Sequence, residues 1–355
     1  MRSETTFSEF IIGEQRQNPH AADGFTALLS DIRLACKRVA YLVGKGTLAH
    51  GPGSGEGGAV AGDHEKKLHV QSNGIFIGIN ERGGHLAGMV SGELERPYAI
   101  PAQHPRGPYL LLFDPLDGST NVDVNVSVGS IFSVLRCPEG VTNPLERDFL
   151  QPGSQQVCAG YAIYGPTTIL VLTLGRGVHG FTLDREIGEF MLTHSDLRVP
   201  EDASEFAINT SNERFWEPPV KRYVSECLAG RNGPRGKDFN MRWVASLVAE
   251  VHRILVRGGL FMVPHDTKDP AGRLRLLCEA NPMAMLIEQA GGAASTGQGR
   301  ELEVAPGALH ERVPVILGSA NEVERIDRYH REHDQGLDQP YTSPLFNTRS
   351  LYTQG

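Results

Sequence analysis

The sequence predicts an α/β protein of layered helices and sheets, organised as two α/β halves. Three observations carry that expectation. Short apolar runs of strand length alternate with stretches whose apolar residues recur at helical spacing. The chain, at 355 residues, is long enough for two hydrophobic cores. Its composition, 40% hydrophobic and 21% charged, is that of a folded globular protein.

Taken in order, residues 23–43 read as an amphipathic helix. Asp23 is placed to cap it, and Phe25, Leu28, Leu29, Ile32, Cys36 and Val39 fall near a 3.6-residue period. Residues 44–62 are dense in glycine with almost no large apolar side chain, and read as a loop. That loop contains Gly53-Ser54-Gly55-Glu56-Gly57-Gly58, a match to G-x-G-x-x-G. A dinucleotide fingerprint needs an apolar strand before it and an apolar helix after it, and neither is there. Strand-like runs follow at 74–79, 109–113, 130–135, 168–174 and 178–183. The stretch 199–205, with its Pro and Glu, marks a joint between an N-terminal half (1–200) and a C-terminal half (201–335), with a tail over 336–355. In the second half, 206–209, 260–263 and 313–317 read as strands and 281–289 as a helix. A long helix is predicted over 242–257, with Val244, Leu247, Val248, Val251, Ile254 and Leu255 on one side.

Charge and sequence extremes narrow the function classes. Acidic residues outnumber basic ones, 42 to 34, which argues against a general nucleic-acid binder needing a basic face. A small phosphorylated ligand, held by a few placed cations, stays compatible. No apolar run approaches the ~20 residues that span a bilayer, so no membrane partner is expected. The N-terminus lacks the apolar core of a signal segment. The five cysteines are an odd number with no C-x-x-C pair, and suit reduced thiols in a cytoplasmic protein.

The chemistry concentrates in Asp114-Pro115-Leu116-Asp117-Gly118-Ser119-Thr120-Asn121, directly after the apolar run 109–113. A buried strand there delivers two carboxylates to the end of a sheet. Hard divalent cations such as Mg²⁺ take oxygen ligands, and Asp114, Asp117 and the Leu116 carbonyl can supply three. Pro115 stiffens the turn. Gly118 lets backbone N–H groups approach an anion, while Ser119 and Thr120 add hydroxyl donors suited to phosphate. A plain turn, its aspartates bonded to nearby backbone, is the simpler alternative.

This string resembles the signature of the metal-dependent, lithium-sensitive sugar-phosphatase superfamily. Other segments resemble the class I fructose-1,6-bisphosphatases in particular. Gly62-Asp63-His64-Glu65-Lys66-Lys67-Leu68-His69-Val70 is similar to that family's G-D-x-x-K-K-L-D-V, and Ser91-Gly92-Glu93 sits where it has Ser-Glu-Glu. Glu279-Ala280-Asn281-Pro282-Met283-Ala284 is similar to its E-x-N-P-M-A element, with Gly291-Gly292 following. Asn212-Glu213, Arg242-Trp243 and the segment 272–277 also align.

The resemblance implies an α-β-α-β-α sandwich and hydrolysis of the 1-phosphate of fructose 1,6-bisphosphate, in gluconeogenesis or the reductive pentose phosphate (Calvin) cycle. It implies Mg²⁺ bound by Asp114, the Leu116 carbonyl, Asp117 and Glu279. Glu93 would share in the metal site and align the attacking water, with Asp63 and position 69 in the same network. Asp117, Gly118, Ser119, Thr120 and Arg275 would hold the departing phosphate. Asn212, Trp243 and Arg273 would face the sugar and its distal phosphate, and Arg242 would reach a phosphate in a neighbouring subunit of a homotetramer.

Two departures touch the metals: His69 stands where the family has Asp, and Gly92 where it has the first Glu. Imidazole suits Mn²⁺ or Zn²⁺ better than Mg²⁺, and His69 could also act as a base. Val263 replaces a tyrosine, Phe215 lacks a hydroxyl, and Pro108-Tyr109 in place of Lys-Tyr speaks against AMP control. Two alternatives follow: a weakened or inactive paralogue serving as a binding or assembly subunit, and a related sugar bisphosphatase such as sedoheptulose-bisphosphatase. By residue type alone, Glu279 could be a helix N-terminal acid, Arg242, Arg273 and Arg275 a solvated face, and Trp243 part of the core.

Overall fold

Every side chain of the run Tyr109–Asp117 is buried, and a sheet grows around it. The structure, a computed structural model, describes residues 5–17, 24–46, 48 and 63–338, apart from the side chains of Asp63 and His64. The first sheet comprises β1 (Leu86–Ser91), β2 (Tyr98–Ala99), β3 (Tyr109–Asp117), β4 (Val128–Arg136), β5 (Cys158–Tyr164), β6 (Thr168–Thr173), β7 (His179–Asp184) and β8 (Glu189–His194). Their order is β2-β1-β3-β4-β5-β6-β7-β8. β1 and β3 run parallel, and the other neighbours are antiparallel.

Strand alternation sets what lies on each face. Leu111 and Phe113 join a core with α1 (Phe7–Gln17), α2 (Phe25–Lys45) and α3 (Asp63–Asn80). Leu110 and Leu112 instead meet Leu277, Cys278 and Phe149, the last from the short helix α4 (Glu146–Phe149).

The second sheet contains β9 (Glu205–Ala207), β10 (Asn240–Met241), β11 (Leu260–Val263), β13 (Ala293–Ser295) and β15 (Val315–Gly318), ordered β10-β9-β11-β15-β13. β12 (Leu274–Arg275) and β14 (Arg312–Val313) form a separate ribbon. Four further α-helices lie among the described residues: α5 (Pro218–Leu228), α6 (Leu247–Arg257), α7 (Asn281–Gln289) and α8 (Ala320–Asp334). Between the sheets, Val248, Val251 and Ile254 of α6 and Met283 to Ile287 of α7 pack on Ile131 and Tyr161 from one side and Phe261 and Leu317 from the other. On the far face of the second sheet, α5 and α8 pack Val220, Tyr223, Val323 and Ile326 against Phe206, Leu260 and Ile316. The layers are therefore α-β-α-β-α, as expected.

Several local expectations are corrected. Residues 74–79 are not a strand but the end of α3. Gly74-Ile75-Phe76-Ile77-Gly78-Ile79 alternates like a strand, yet Leu68, Ser72, Phe76 and Asn80 form a buried line one turn apart. Packing of that line on the sheet overrides local preference. The helix predicted over 242–257 begins at Leu247: Ser246 is extended and caps it, and Arg242 still bonds the neighbouring strand through its N–H to Phe206 O. The run 313–317 splits, because Val313 pairs with Leu274 in the ribbon and Val315 with Val263 in the sheet. Pro314 between them has no N–H for either ladder. Helix α2 has Gly24 at its cap position, while Asp23 and the glycine-rich match at 53–58 lie outside the described residues. Among the described residues no helix is long and apolar enough to cross a membrane.

Candidate active site

The site begins where the β3–β4 ladder breaks. Asp114 pairs with Ile131 and Asp117 with Gly129, so one extra residue bulges from β3. Pro115 offers no N–H there, and its carbonyl accepts a 2.7 Å bond from Ser130 Oγ. The Leu116 N–H turns back to Asp114 Oδ1 at 2.9 Å, and the Leu116 side chain is sealed in the core. Both aspartates are thus held, nearly fully buried, at the strand end.

Glu279 meets Asp114 from a π-helical turn, Leu276–Ala280, which runs into α7. Burial lifts both carboxyls above the usual carboxylate range, with the charge of Glu279 adding to the rise at Asp114 and that of Asp117 at Glu279. Arg275 offsets part of that charge. Its backbone N–H donates to Glu279 Oε2 at 2.6 Å and its Nη1 to Oε1 at 3.4 Å. Burial, then the charge of Asp114, pushes Asp117 up to about 6, although Ser246 Oγ and the Val248 N–H donate to its Oδ2 at 2.8 and 2.9 Å. Asp117 thereby sits on the positive N-terminal end of α6.

The turn after Asp117 has the form an anion needs. Gly118 is left-handed at φ 69°, and a Cβ there would stand 2.7 Å from Ser246 Cβ. Ser119 to Asn121 form a 3₁₀ turn, with Thr120 exposed and Ser119 Oγ donating to Glu65 Oε1 at 2.6 Å. Asn121 ties the turn to the second half through Nδ2 and Val244 O at 2.9 Å.

Beside this turn opens a cavity of about 210 Å³, lined by Gly118, Asn212, Trp243, Val263 and Arg273 among others. Trp243 lies parallel to Phe261, planes 8° apart and ring centroids 6.2 Å apart, with about a third of its surface exposed. Arg273 is aimed by Asp266 at 3.2 Å and Asp269 at 2.6 Å. With its amide oxygen turned to that guanidinium, Asn212 accepts from both Arg273 Nη atoms at 2.9 Å.

The remaining expected residues are less tightly gathered. Glu93 follows β1, with His69 Nδ1 3.7 Å from its Oε2. The Glu93 N–H donates to Ser91 Oγ, which in turn donates to Asn73 Oδ1. Gly92 leaves room for Arg275, whose Nη1 would lie 3.2 Å from a Cβ at that position. The Asp63 side chain lies outside the described ones. Arg242 does not line the cavity; it is half-exposed and pairs with Glu205 at 3.3 Å.

Sequence reasoning misses four contributors: Ser246, Glu65, Asn73 and Asp266. Ser246 was the most detectable, since a serine directly before Leu247 is an N-cap signal.

Among the described residues no three His, Cys, Asp or Glu side chains form a ready-made cage for a metal. The chemistry of the donors nevertheless fits a hard divalent cation. Asp114 and Glu279 are buried carboxyls, the charge of Glu279 and of Glu93 bears on Asp114, and a cation would relieve that crowding of negative charge.

Comparison with known proteins agrees with this geometry. Residues 5–195 match the family model of the fructose-1-6-bisphosphatase N-terminal domain, and 199–331 that of its C-terminal domain. The chain is 60% identical over 350 residues to the class 1 fructose-1,6-bisphosphatase of Hydrogenophilus thermoluteolus, covering 98% of this chain and 97% of that one. It is 57% identical over 352 residues to fructose-1,6-bisphosphatase class 1 3 of Methylibium petroleiphilum, covering 99% and 98%. Crystal structures of Leishmania major fructose-1,6-bisphosphatase in holo and apo form superpose with TM-scores of 0.83 and 0.81 at 37% identity, covering 93% of this chain and 100% of theirs. Matched in both halves and over nearly its whole length, the chain belongs to the class I fructose-1,6-bisphosphatases.

Proposed function

We infer that this chain is a phosphatase that hydrolyses fructose 1,6-bisphosphate at the C1 ester, giving fructose 6-phosphate and inorganic phosphate with the help of a divalent cation. One juxtaposition carries the reading. Asp117 and the Gly118 turn line a cavity walled by Asn212, Trp243 and Arg273, and the buried acids Asp114 and Glu279 lie behind Asp117 at the same strand end. Acids to hold a cation and a turn to seat the reacting phosphate thus lie beside cationic and aromatic groups for the rest of the sugar.

Phosphoryl transfer depends mainly on positioning and on neutralising charge. Asp114, the Leu116 carbonyl, Asp117, Glu279 and Glu93 are the proposed ligands, with Mg²⁺ the expected ion and Mn²⁺ or Zn²⁺ admitted by His69. When bound, the cation supplies charge neutralisation to the phosphoryl oxygens. Gly118, Ser119 and Thr120 seat the phosphoryl group, and Arg275 adds a fixed positive charge. Glu93 orients the attacking water, supported by Asp63 and His69. Arg273 and Asn212 hold the distal phosphate and sugar against Trp243. Arg242, half-exposed and not part of this cavity's lining, is suited to reach a neighbouring subunit. We propose a homotetramer, cytoplasmic, serving gluconeogenesis or the Calvin cycle, with halves at 1–200 and 201–335 and a tail beyond.

The non-catalytic alternative is disfavoured, since Asp114, Asp117, Glu93 and Glu279 are all present. Phosphate release from fructose 1,6-bisphosphate, measured across Mg²⁺, Mn²⁺ and Zn²⁺, tests the reading. Metal-dependent release is expected, and its absence with all three ions would refute it.

A further inference from the structure

Helix α3 lays a polar ridge along the site. Glu65, His69 and Asn73 are each four residues apart, so they share one helical stripe. They face Ser119, Glu93 and Ser91 in turn. The first contact differs in kind from the others. Ser119 Oγ donates to Glu65 Oε1 at 2.6 Å, which commits the hydroxyl proton that the phosphatase reading assigns to the substrate. A serine has one O–H, and carboxylate and phosphate oxygens only accept from it. Ser119 therefore donates to Glu65 or to a phosphoryl group, never to both. The two anions would also repel each other at that range.

We propose that Glu65 exchanges with phosphate at Ser119. It releases the hydroxyl as the phosphorylated sugar binds and reclaims it as inorganic phosphate leaves. Occupancy of the phosphate turn is thereby coupled to the first turns of α3. This proposal rests on the phosphatase reading and assigns Glu65 a part in product departure. Glu65 is a positioning residue: it acts through Ser119 and not on the reacting atoms. Its presence weakens phosphate binding and keeps the product from lingering.

The test titrates inorganic phosphate calorimetrically onto the full chain with Mg²⁺, alongside KM and kcat for fructose 1,6-bisphosphate. Glu65→Ala should bind phosphate roughly tenfold more tightly, the equivalent of one hydrogen bond no longer contested. Its KM should fall with no rise in kcat. Glu65→Gln, which still accepts but carries no charge, should lie between. In a Ser119→Ala background the gain from Glu65→Ala should shrink to the smaller part that relieved repulsion supplies. Phosphate affinity that is unchanged or weaker in Glu65→Ala overturns the proposal, and so does a gain of undiminished size without the Ser119 hydroxyl. Failure of the phosphatase reading is seen separately, as an unsubstituted chain that releases no phosphate from the bisphosphate.

Discussion

Ser246 and Asp117, 129 residues apart in sequence, are joined by a 2.8 Å hydrogen bond from the serine Oγ to the carboxyl Oδ2. The same Oγ accepts from the Ala249 N–H, so one hydroxyl both caps α6 and fixes an acid of the site. Ser246→Ala should cost about 1 kcal/mol of stability through the lost cap. Turnover should fall on the order of tenfold as Asp117 loses a donor. Denaturant melts and steady-state rates on the same preparation check both numbers.

Gly118 is constrained twice, by its left-handed backbone and by Ser246 Cβ, 2.7 Å from where its own Cβ would be. Gly118→Ala should displace the phosphate turn and cost at least ~1–2 kcal/mol from the backbone term alone. A loss of kcat/KM larger than that of Ser246→Ala is expected, and wild-type kinetics in the alanine variant would contradict the geometry.

The neighbourhood of Gly92 has space for a carboxylate if the Arg275 guanidinium gives by a few tenths of an ångström, a small shift at the far end of a flexible side chain. His69→Asp combined with Gly92→Glu should therefore be tolerated. By adding acidic oxygens near Glu93 it should raise Mg²⁺-dependent turnover. Rates measured against Mg²⁺ concentration decide the matter, and no gain in the double variant would refute the idea that these positions weaken Mg²⁺ use.

Removing metal should expose the strain between Asp114 and Glu279. A chelator should abolish phosphate release, and adding back Mn²⁺ or Mg²⁺ should raise the thermal midpoint. Asp114→Asn keeps the shape but removes one charge of the buried pair. It should lose activity and the metal-induced rise in Tm together, while its metal-free Tm is no lower than that of the parent.

His252 provides a pH prediction remote from the metal acids. Burial, with a smaller push from His194, holds its imidazole down at about 4, where it bonds Tyr161 OH at 2.8 Å. Between pH ~6.5 and 4 the unfolded chain binds a proton at this residue and the folded one does not, so stability falls as pH drops through that window. The loss approaches about 3 kcal/mol when complete. His252→Gln should flatten that part of the curve, as read by urea midpoints at pH 7.5, 5.5 and 4.5.

The alternation of helices and strands was legible because β3, β4, β6, β7 and β11 are apolar runs of strand length, and α2, α6 and α7 keep helical periodicity. Helix α3 was not. Its buried line contains Ser72 and Asn80 beside Leu68 and Phe76, so its apolar period is weak and the isoleucines of 75–79 suggest the opposite. In the site, Asp114, Asp117 and the glycine turn were readable as a contiguous string. Contacts such as Glu65–Ser119 and Asp117–Ser246 were not, since a side chain that meets a partner from another element leaves no trace in spacing. Arg242 shows the converse: it stands beside Trp243 in sequence, yet only Trp243 lines the cavity, while Arg242 pairs with Glu205.

The bond between Asp117 and the start of α6 also sets when activity can arise during synthesis. A ribosome that has delivered the first 200 residues has made both aspartates. The serine that steadies one of them, the glutamate that faces the other and the arginine of the cavity wall are all still untranslated. Catalytic competence therefore comes late, and a single proteolytic cut near residue 200 that let the two pieces drift apart would silence the protein with every acidic ligand intact.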